Sequence, residues 1–128
     1  MQPRRGRVLV VDDSPQIRAL IRVNLELEGF EVITLADGAE ALERVQAIAP
    51  DVMTIDVKMP RLDGFETVQR LRADPATASL PIAVVTACAQ ATDRQRGQEV
   101  GVDAYITKPF DPAVLVAEVR RLVDTLGR

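Results

Sequence analysis

The chain has 128 residues, of which 47% are hydrophobic, 27% charged and only 3% aromatic, with a net charge of -3. These values describe one globular domain with an aliphatic core, long enough to bury about two thirds of the surface that its unfolded form exposes. They exclude a general attraction to nucleic acid or anionic lipid, an internal disulfide (Cys88 stands alone) and a membrane helix, because no apolar stretch approaches the ~20 residues needed. Without a secretory h-region the expected location is the cytoplasm.

Residues 1–6, with Arg4 and Arg5, read as a solvated N-terminal extension, and Arg7 opens the domain. The run Val8-Leu9-Val10-Val11 reads as a first strand. A helix follows, capped by Ser14 with Pro15 at its first position, carrying an apolar stripe of Ile17, Leu20, Ile21 and Leu25 and ending at Gly29. Asn24 is the discordant residue of that stripe, and Val23 and Leu27 on its flank are candidate partner contacts. A second strand, Phe30-Glu31-Val32-Ile33-Thr34, alternates more than the others, which suits a sheet edge. Asp37 is placed to cap a second helix bearing Ala41, Leu42, Val45 and Ile48, stopped by Pro50. The third strand is Val52-Met53-Thr54-Ile55, and a third helix from Gly64 to Ala73 turns Phe65, Val68 and Leu71 inward. After the strand Ile82-Ala83-Val84-Val85 comes a helix from Gln90 to Val100 that is different in kind. It is mostly polar, with Gly97 in its interior at a cost of about 1 kcal/mol against alanine, and should be the least firmly held. The strand Ala104-Tyr105-Ile106 and a last helix from Asp111-Pro112 with Leu115, Val119, Leu122, Val123 and Leu126 complete the chain.

Five strands alternating with five helices imply a parallel α/β sheet covered on both faces, joined by right-handed crossovers. In such sheets ligands bind outside the carboxyl ends of the strands, where strand order reverses. Asp12 and Asp13 follow the first strand, Asp56 the third, Thr86 the fourth and Lys108 the fifth, so all five belong to one edge. Each alone has an ordinary reading: Asp13 or Ser14 as a helix cap, Asp56 and Thr86 as turn residues, Lys108 as a solvated lysine. Together, three carboxylates, a hydroxyl and an ammonium on one edge call for a chemical explanation.

Three neighbouring carboxylates repel one another unless one is protonated or a divalent cation binds. An all-oxygen set suits Mg2+, with Mn2+ as the alternative. The acids and the lysine leave a formal charge of -2, which one such ion neutralises. A phosphoryl group can then approach, a carboxylate can attack it to form an acyl phosphate, and Thr86 can donate to one of its oxygens.

Four segments resemble the receiver domain of two-component response regulators: Val10-Val11-Asp12-Asp13-Ser14-Pro15, Asp56-Val57-Lys58-Met59-Pro60-Arg61-Leu62-Asp63-Gly64, Thr86-Ala87, and Tyr105-Ile106-Thr107-Lys108-Pro109-Phe110. The resemblance runs from about Arg7 to Leu126, so that 7–126 is the expected receiver domain, with no output domain in this chain. It implies a flavodoxin-like sheet of order 2-1-3-4-5. It also implies that Asp56 is the phosphoacceptor, and that Asp12, Asp13, Asp56 and the backbone carbonyl of Lys58 bind the metal. By the same resemblance Thr86, Ala87 and Lys108 are expected to contact the phosphoryl group, and Tyr105 to change rotamer with Thr86. The Lys108–Pro109 bond is expected to be cis, against about 5 to 6% of X-Pro bonds in general. Lys58 and Cys88, each two residues past a key position, fall where the family tunes phosphoryl lifetime. For Lys58 a solvent-facing side chain is expected, and for Cys88 a small side chain that admits water.

The implied partners are a histidine kinase or histidine phosphotransfer protein upstream and a downstream protein or output domain, with a phosphorylation-dependent dimer compatible with both. No direct contact with nucleic acid or membrane is expected, and a chain without histidine is no phosphohistidine donor. The polar fourth helix, with the fifth strand and helix, is the expected signalling face. Autocatalysed phosphotransfer and dephosphorylation are expected rather than a dedicated enzyme activity. Three rivals fit less well. A haloacid dehalogenase-type phosphohydrolase places its acids as Asp-x-Asp after the first strand, a flavodoxin-type flavin module would have its phosphate repelled by Asp12 and Asp13, and a purely partner-binding domain would lack part of this set.

Overall fold

The computed structural model describes residues 6–59, 62–87 and 91–125. Its strands are β1 (Arg7–Val11), β2 (Glu31–Leu35), β3 (Val52–Ile55), β4 (Ile82–Thr86) and β5 (Ala104–Thr107). They alternate with α1 (Pro15–Leu27), α2 (Gly38–Ile48), α3 (Gly64–Ala73), α4 (Ala91–Val100) and α5 (Pro112–Thr125). All strand pairs are parallel, in the order β2-β1-β3-β4-β5. This is the flavodoxin-like doubly wound sheet that the sequence led us to expect. Strand order reverses between β1 and β3, so the crevice at their carboxyl ends is the natural ligand position.

Successive strand side chains point to opposite faces, so each apolar run feeds two cores. Val8 and Val10 meet Ile21 and Leu25 of α1 and Leu115, Val119 and Leu122 of α5. Leu9 and Val11 meet Val45 and Ile48 of α2 and Phe65, Val68 and Leu71 of α3. The continuous apolar runs of β1, β3 and β4 therefore follow from helices on both sides of the sheet. β2 lies at one edge, which accounts for its more alternating pattern.

Helix starts follow local chemistry. The Ser14 hydroxyl accepts from the Ile17 amide at 3.3 Å, with Pro15 at the first helical position. Asp37 caps α2 through the Glu40 amide at 2.8 Å. Asp63 and Glu66 form a reciprocal capping box on α3, in which each side chain accepts from the other's backbone amide. α2 ends with Ala49 in the left-handed region, directly before Pro50.

One expectation is corrected. Leu20 does not share the buried stripe of α1 but is 41% exposed, whereas Ile21 and Leu25 are buried. At spacing i, i+3, i+7, Leu20, Val23 and Leu27 make a second, narrower apolar stripe that faces outward, with Leu27 78% exposed. Asn24 is the border between the two stripes rather than a fault in one, and its side-chain amide donates to the Leu20 carbonyl at 2.8 Å. The proposed start of the fourth helix at Gln90 and the end of the fifth at Leu126 lie outside the described residues.

Leu9→Ala should lower unfolding free energy by about 2–5 kcal/mol in urea titrations, because a fully buried side chain leaves a cavity. Leu27→Ala should stay within about 0.5 kcal/mol of wild type.

Candidate functional site

The ends of the central strands bring the acids together. Asp12 follows β1, and its amide donates to the Leu35 carbonyl of β2 at 3.1 Å. Asp56 follows β3, and its amide donates to the Val11 carbonyl of β1 at 3.0 Å. The two side chains are buried, at 1% and 7% exposure, while Asp13 is exposed. One carboxylate oxygen from each of Asp12, Asp13 and Asp56 falls within 4.8 Å of the others. Ligands on one octahedral Mg2+ stand about 3–4 Å apart, so this all-oxygen set fits such an ion after a small closure. Because Ser14 is the α1 cap, Asp13 is not needed for that purpose.

Lys108, after β5, supplies the countercharge. Its Nζ lies 2.9 Å from Asp12 Oδ2 and 3.3 Å from Asp56 Oδ2. Its amide donates to the Thr86 carbonyl at 2.8 Å, which ties the end of β5 to that of β4. Thr86 is buried as the last residue of β4 and Ala87 beyond it is exposed. The Lys108–Pro109 peptide is cis. The Lys58 side chain is exposed, Tyr105 is half-buried against the α2 and α3 core, and Cys88 lies outside the described residues.

The response regulator receiver domain model matches residues 8–120. The chain belongs to the response regulator receiver family. Its function is therefore phosphorylation-dependent signalling. The chain is 39% identical over 122 residues to the DNA-binding dual master transcriptional regulator RpaA of Synechocystis, covering 95% of this chain and 51% of that protein. It is 44% identical over 121 residues to the transcriptional regulatory protein PrrA of Mycobacterium leprae, covering 94% and 51%. The chain thus spans about half the length of the curated relatives it matches. Among solved structures it resembles the chemotaxis protein CheY4 of Vibrio cholerae, with 38% identity and a TM-score of 0.86 over 91% of this chain and 97% of that one. It also resembles the receiver domain of the sensor histidine kinase PA1611 from Pseudomonas aeruginosa, with a magnesium ion coordinated in its active-site cleft. That match has 29% identity and a TM-score of 0.86, over 94% of this chain and 98% of that one.

Within this receiver domain the contacts around two residues, Asp12 and Gly64, went unnoticed in the sequence. Arg18 Nη1 donates to the Asp12 backbone carbonyl at 2.6 Å, and the Ser14 amide donates to Asp12 Oδ1 at 2.9 Å. With Leu35 and Lys108, these contacts bond every polar atom of Asp12. An arginine in the second turn of a helix whose start follows an acid is a recognisable signal, but a weak one. Gly64 is the other case. A Cβ there would stand 2.3 Å from the Asp56 carbonyl oxygen, so α3 begins in direct contact with the backbone of Asp56. Only glycine permits that approach.

Electrostatics set Asp56 apart. Burial raises its pKa above the usual carboxylate value and the Asp12 charge raises it further, while Lys108 offsets only part of this. For Lys108, burial would lower the pKa, but the bond to Asp12 and the charges of Asp56 and Asp12 outweigh it and hold the ammonium above its ordinary value. A carboxyl whose folded pKa is raised binds its proton more tightly in the folded state. Its contribution to stability is therefore full below the unfolded pKa of about 3.9 and is lost as pH rises through the folded value. Asp56→Asn, measured without divalent cation, should raise the melting temperature at pH 7 by a few degrees. The gain should shrink as pH falls toward 4, and a gain independent of pH would contradict the assignment of strain to the Asp56 charge.

Proposed function

We propose that Asp56 accepts a phosphoryl group from a phosphohistidine of a sensor kinase or phosphotransfer protein in the cytoplasm, with Mg2+ or Mn2+ held by Asp12, Asp13, Asp56 and the Lys58 carbonyl. The observation that carries this reading is the meeting of three carboxylates and the Lys108 ammonium at the β1–β3 switch point. A bound divalent ion would neutralise the site and draw charge from the phosphoryl oxygens. The remaining work belongs to the chain itself. Asp56 Oδ attacks phosphorus while the bond from phosphorus to the donor imidazole breaks, and that nitrogen leaves with the bonding pair. Burial and the Asp12 charge raise the basicity of Asp56, which favours it as nucleophile. Lys108 transfers its bond from a carboxylate to the new phosphoryl oxygens, and Thr86 donates to another.

The modified side chain carries roughly -1.5 to -2 charge in place of -1. Lys108 and Thr86 follow that charge, and with them α4 and Tyr105. A downstream protein or output domain reads the altered face of α4, β5 and α5, either on one chain or through a dimer formed on phosphorylation. The phosphodonor is assigned to the outward stripe Leu20, Val23 and Leu27 on α1, an exposed apolar surface on the helix that starts at the acid pair. Lys58 and Cys88 are assigned to the control of hydrolysis.

Incubation with acetyl phosphate and Mg2+ should label the wild type, and chelation or Asp56→Asn should remove the label. Label that persists in the variant would sink the assignment. Leu27→Asp should slow transfer from a phosphohistidine donor about 5-fold or more while leaving labelling by acetyl phosphate unchanged, since that small donor needs no docking surface.

A further inference from the structure

α4 has no apolar stripe to hold it. Of its described side chains only Gly97 is buried, and Val100 packs partly against the core beneath α2 and α3. Charge and rings replace the missing stripe. The guanidinium carbon of Arg94 stands 4.7 Å from the centroid of the Tyr105 ring, and its Nη2 is 3.5 Å from Thr107 Oγ1. The guanidinium of Arg96 stands 5.2 Å from the centroid of the Phe65 ring, and its Nη1 is 3.4 Å from Oδ2 of Asp63, the α3 cap. Gly97 lies against both rings, since a Cβ there would come 3.3 Å from Phe65 Cε1 and 3.6 Å from Tyr105 Cε2. The glycine that weakens the helix by propensity eases its fit against Phe65, whereas a Cβ would be in ordinary contact with Tyr105.

The far end of α4 is held by other means. Arg72 of α3 donates through Nε and Nη2 to the Gly101 carbonyl at 3.0 and 2.9 Å, and through Nη1 to the Leu80 carbonyl at 2.7 Å. It also pairs with Asp103 Oδ2 at 2.9 Å, and the same oxygen accepts from the Ile82 amide at 2.8 Å. These are directional bonds, several of them charge-assisted, that join α3, β4 and the turn into β5. The middle of α4 and its carboxyl end are therefore held by contacts of different kinds.

We propose that Arg94 and Arg96 are positioning residues that latch the body of α4 onto Tyr105 and Phe65, and that α4 pivots about its Arg72-bonded end when the latch yields. This inference rests on the phosphoacceptor reading for its link to Asp56, but the latch itself does not. An exposed arginine lying over a ring is worth a factor of about 2–5 in an equilibrium, and the ion pair to Asp63 is weakened by salt. Contacts of that size suit an element whose two positions must lie close in free energy. Any ligand that moves Tyr105 and α4 works against them, so removing them should make that ligand bind more tightly.

The chain contains one tyrosine and no tryptophan, so its intrinsic emission reports on Tyr105 alone. Arg94→Met and Arg96→Met remove the charge while keeping an apolar stem. In titrations with beryllofluoride and Mg2+ followed by that emission, each should lower the half-saturating concentration about 2–5-fold, and the double variant further. Without any phosphoryl mimic, amide exchange over residues 91–97 should speed up in the double variant while residues 101–104 keep wild-type rates. Unchanged exchange over 91–97 would overturn the latch. Half-saturation that is unchanged or raised, with a responsive wild type, would overturn its part in the switch. A wild type silent to beryllofluoride would count against the phosphoacceptor reading instead, and the exchange measurement would then decide the latch by itself.

Discussion

Two carboxylates buried side by side at the end of a sheet are an unfavourable arrangement, and the position of Lys108 between them is what makes it tolerable. Its ammonium touches Asp12 and Asp56 at hydrogen-bonding distance, after a long stem has carried the charge back across the sheet edge from the end of β5. Removing the lysine would leave both buried carboxylates uncompensated, whereas neutralising Asp56 leaves Asp12 and Lys108 as a balanced pair. The compensation is also incomplete, because Asp56 keeps a raised pKa despite the lysine. The site therefore holds unspent attraction for positive charge and for any group that arrives with it. Every other element of the site serves that residual field: Arg18 and Ser14 fix Asp12, the cap at Ser14 leaves Asp13 unengaged as a cap, and Gly64 sets the backbone of Asp56.

The two flanks of this centre are built from different materials. On the α3 side the connections are backbone contact, a capping box and a fully buried phenylalanine. On the α4 side they are a half-buried tyrosine, exposed arginines and a polar helix. Rigidity and freedom are thus separated in space. A fold of this size gains from that division, since the core between the sheet, α1 and α5 takes no part in the described contacts that hold α4.

Much of this was legible in the sequence, for identifiable reasons. Strands covered on both faces produce unbroken apolar runs, and the positions where Val11, Ile55, Val85 and Ile106 give way to polar residues marked the functional edge. Ser14-Pro15 and Asp37 announced their helices because caps act through adjacent backbone. Leu20 was misplaced because two apolar stripes on α1 overlap in sequence spacing, and only packing against β1 and α5 decides which is buried. Arg94, Arg96, Arg18 and Arg72 were illegible for another reason. A long side chain that finds a ring or carbonyl in a distant element looks like any solvated cation when read in one dimension.

The contact of Gly64 with the Asp56 carbonyl has a consequence for what different partners can sense. Because α3 starts against the peptide that carries Asp56, the two form a single mechanical piece. A protein that grips α3 would register where Asp56 is, but gain little information about its chemical state. Discrimination must come from surfaces that are free to shift relative to that piece. On the phosphoacceptor reading the domain would therefore offer its partners two distinct handles, one for recognising the molecule and one for recognising its condition.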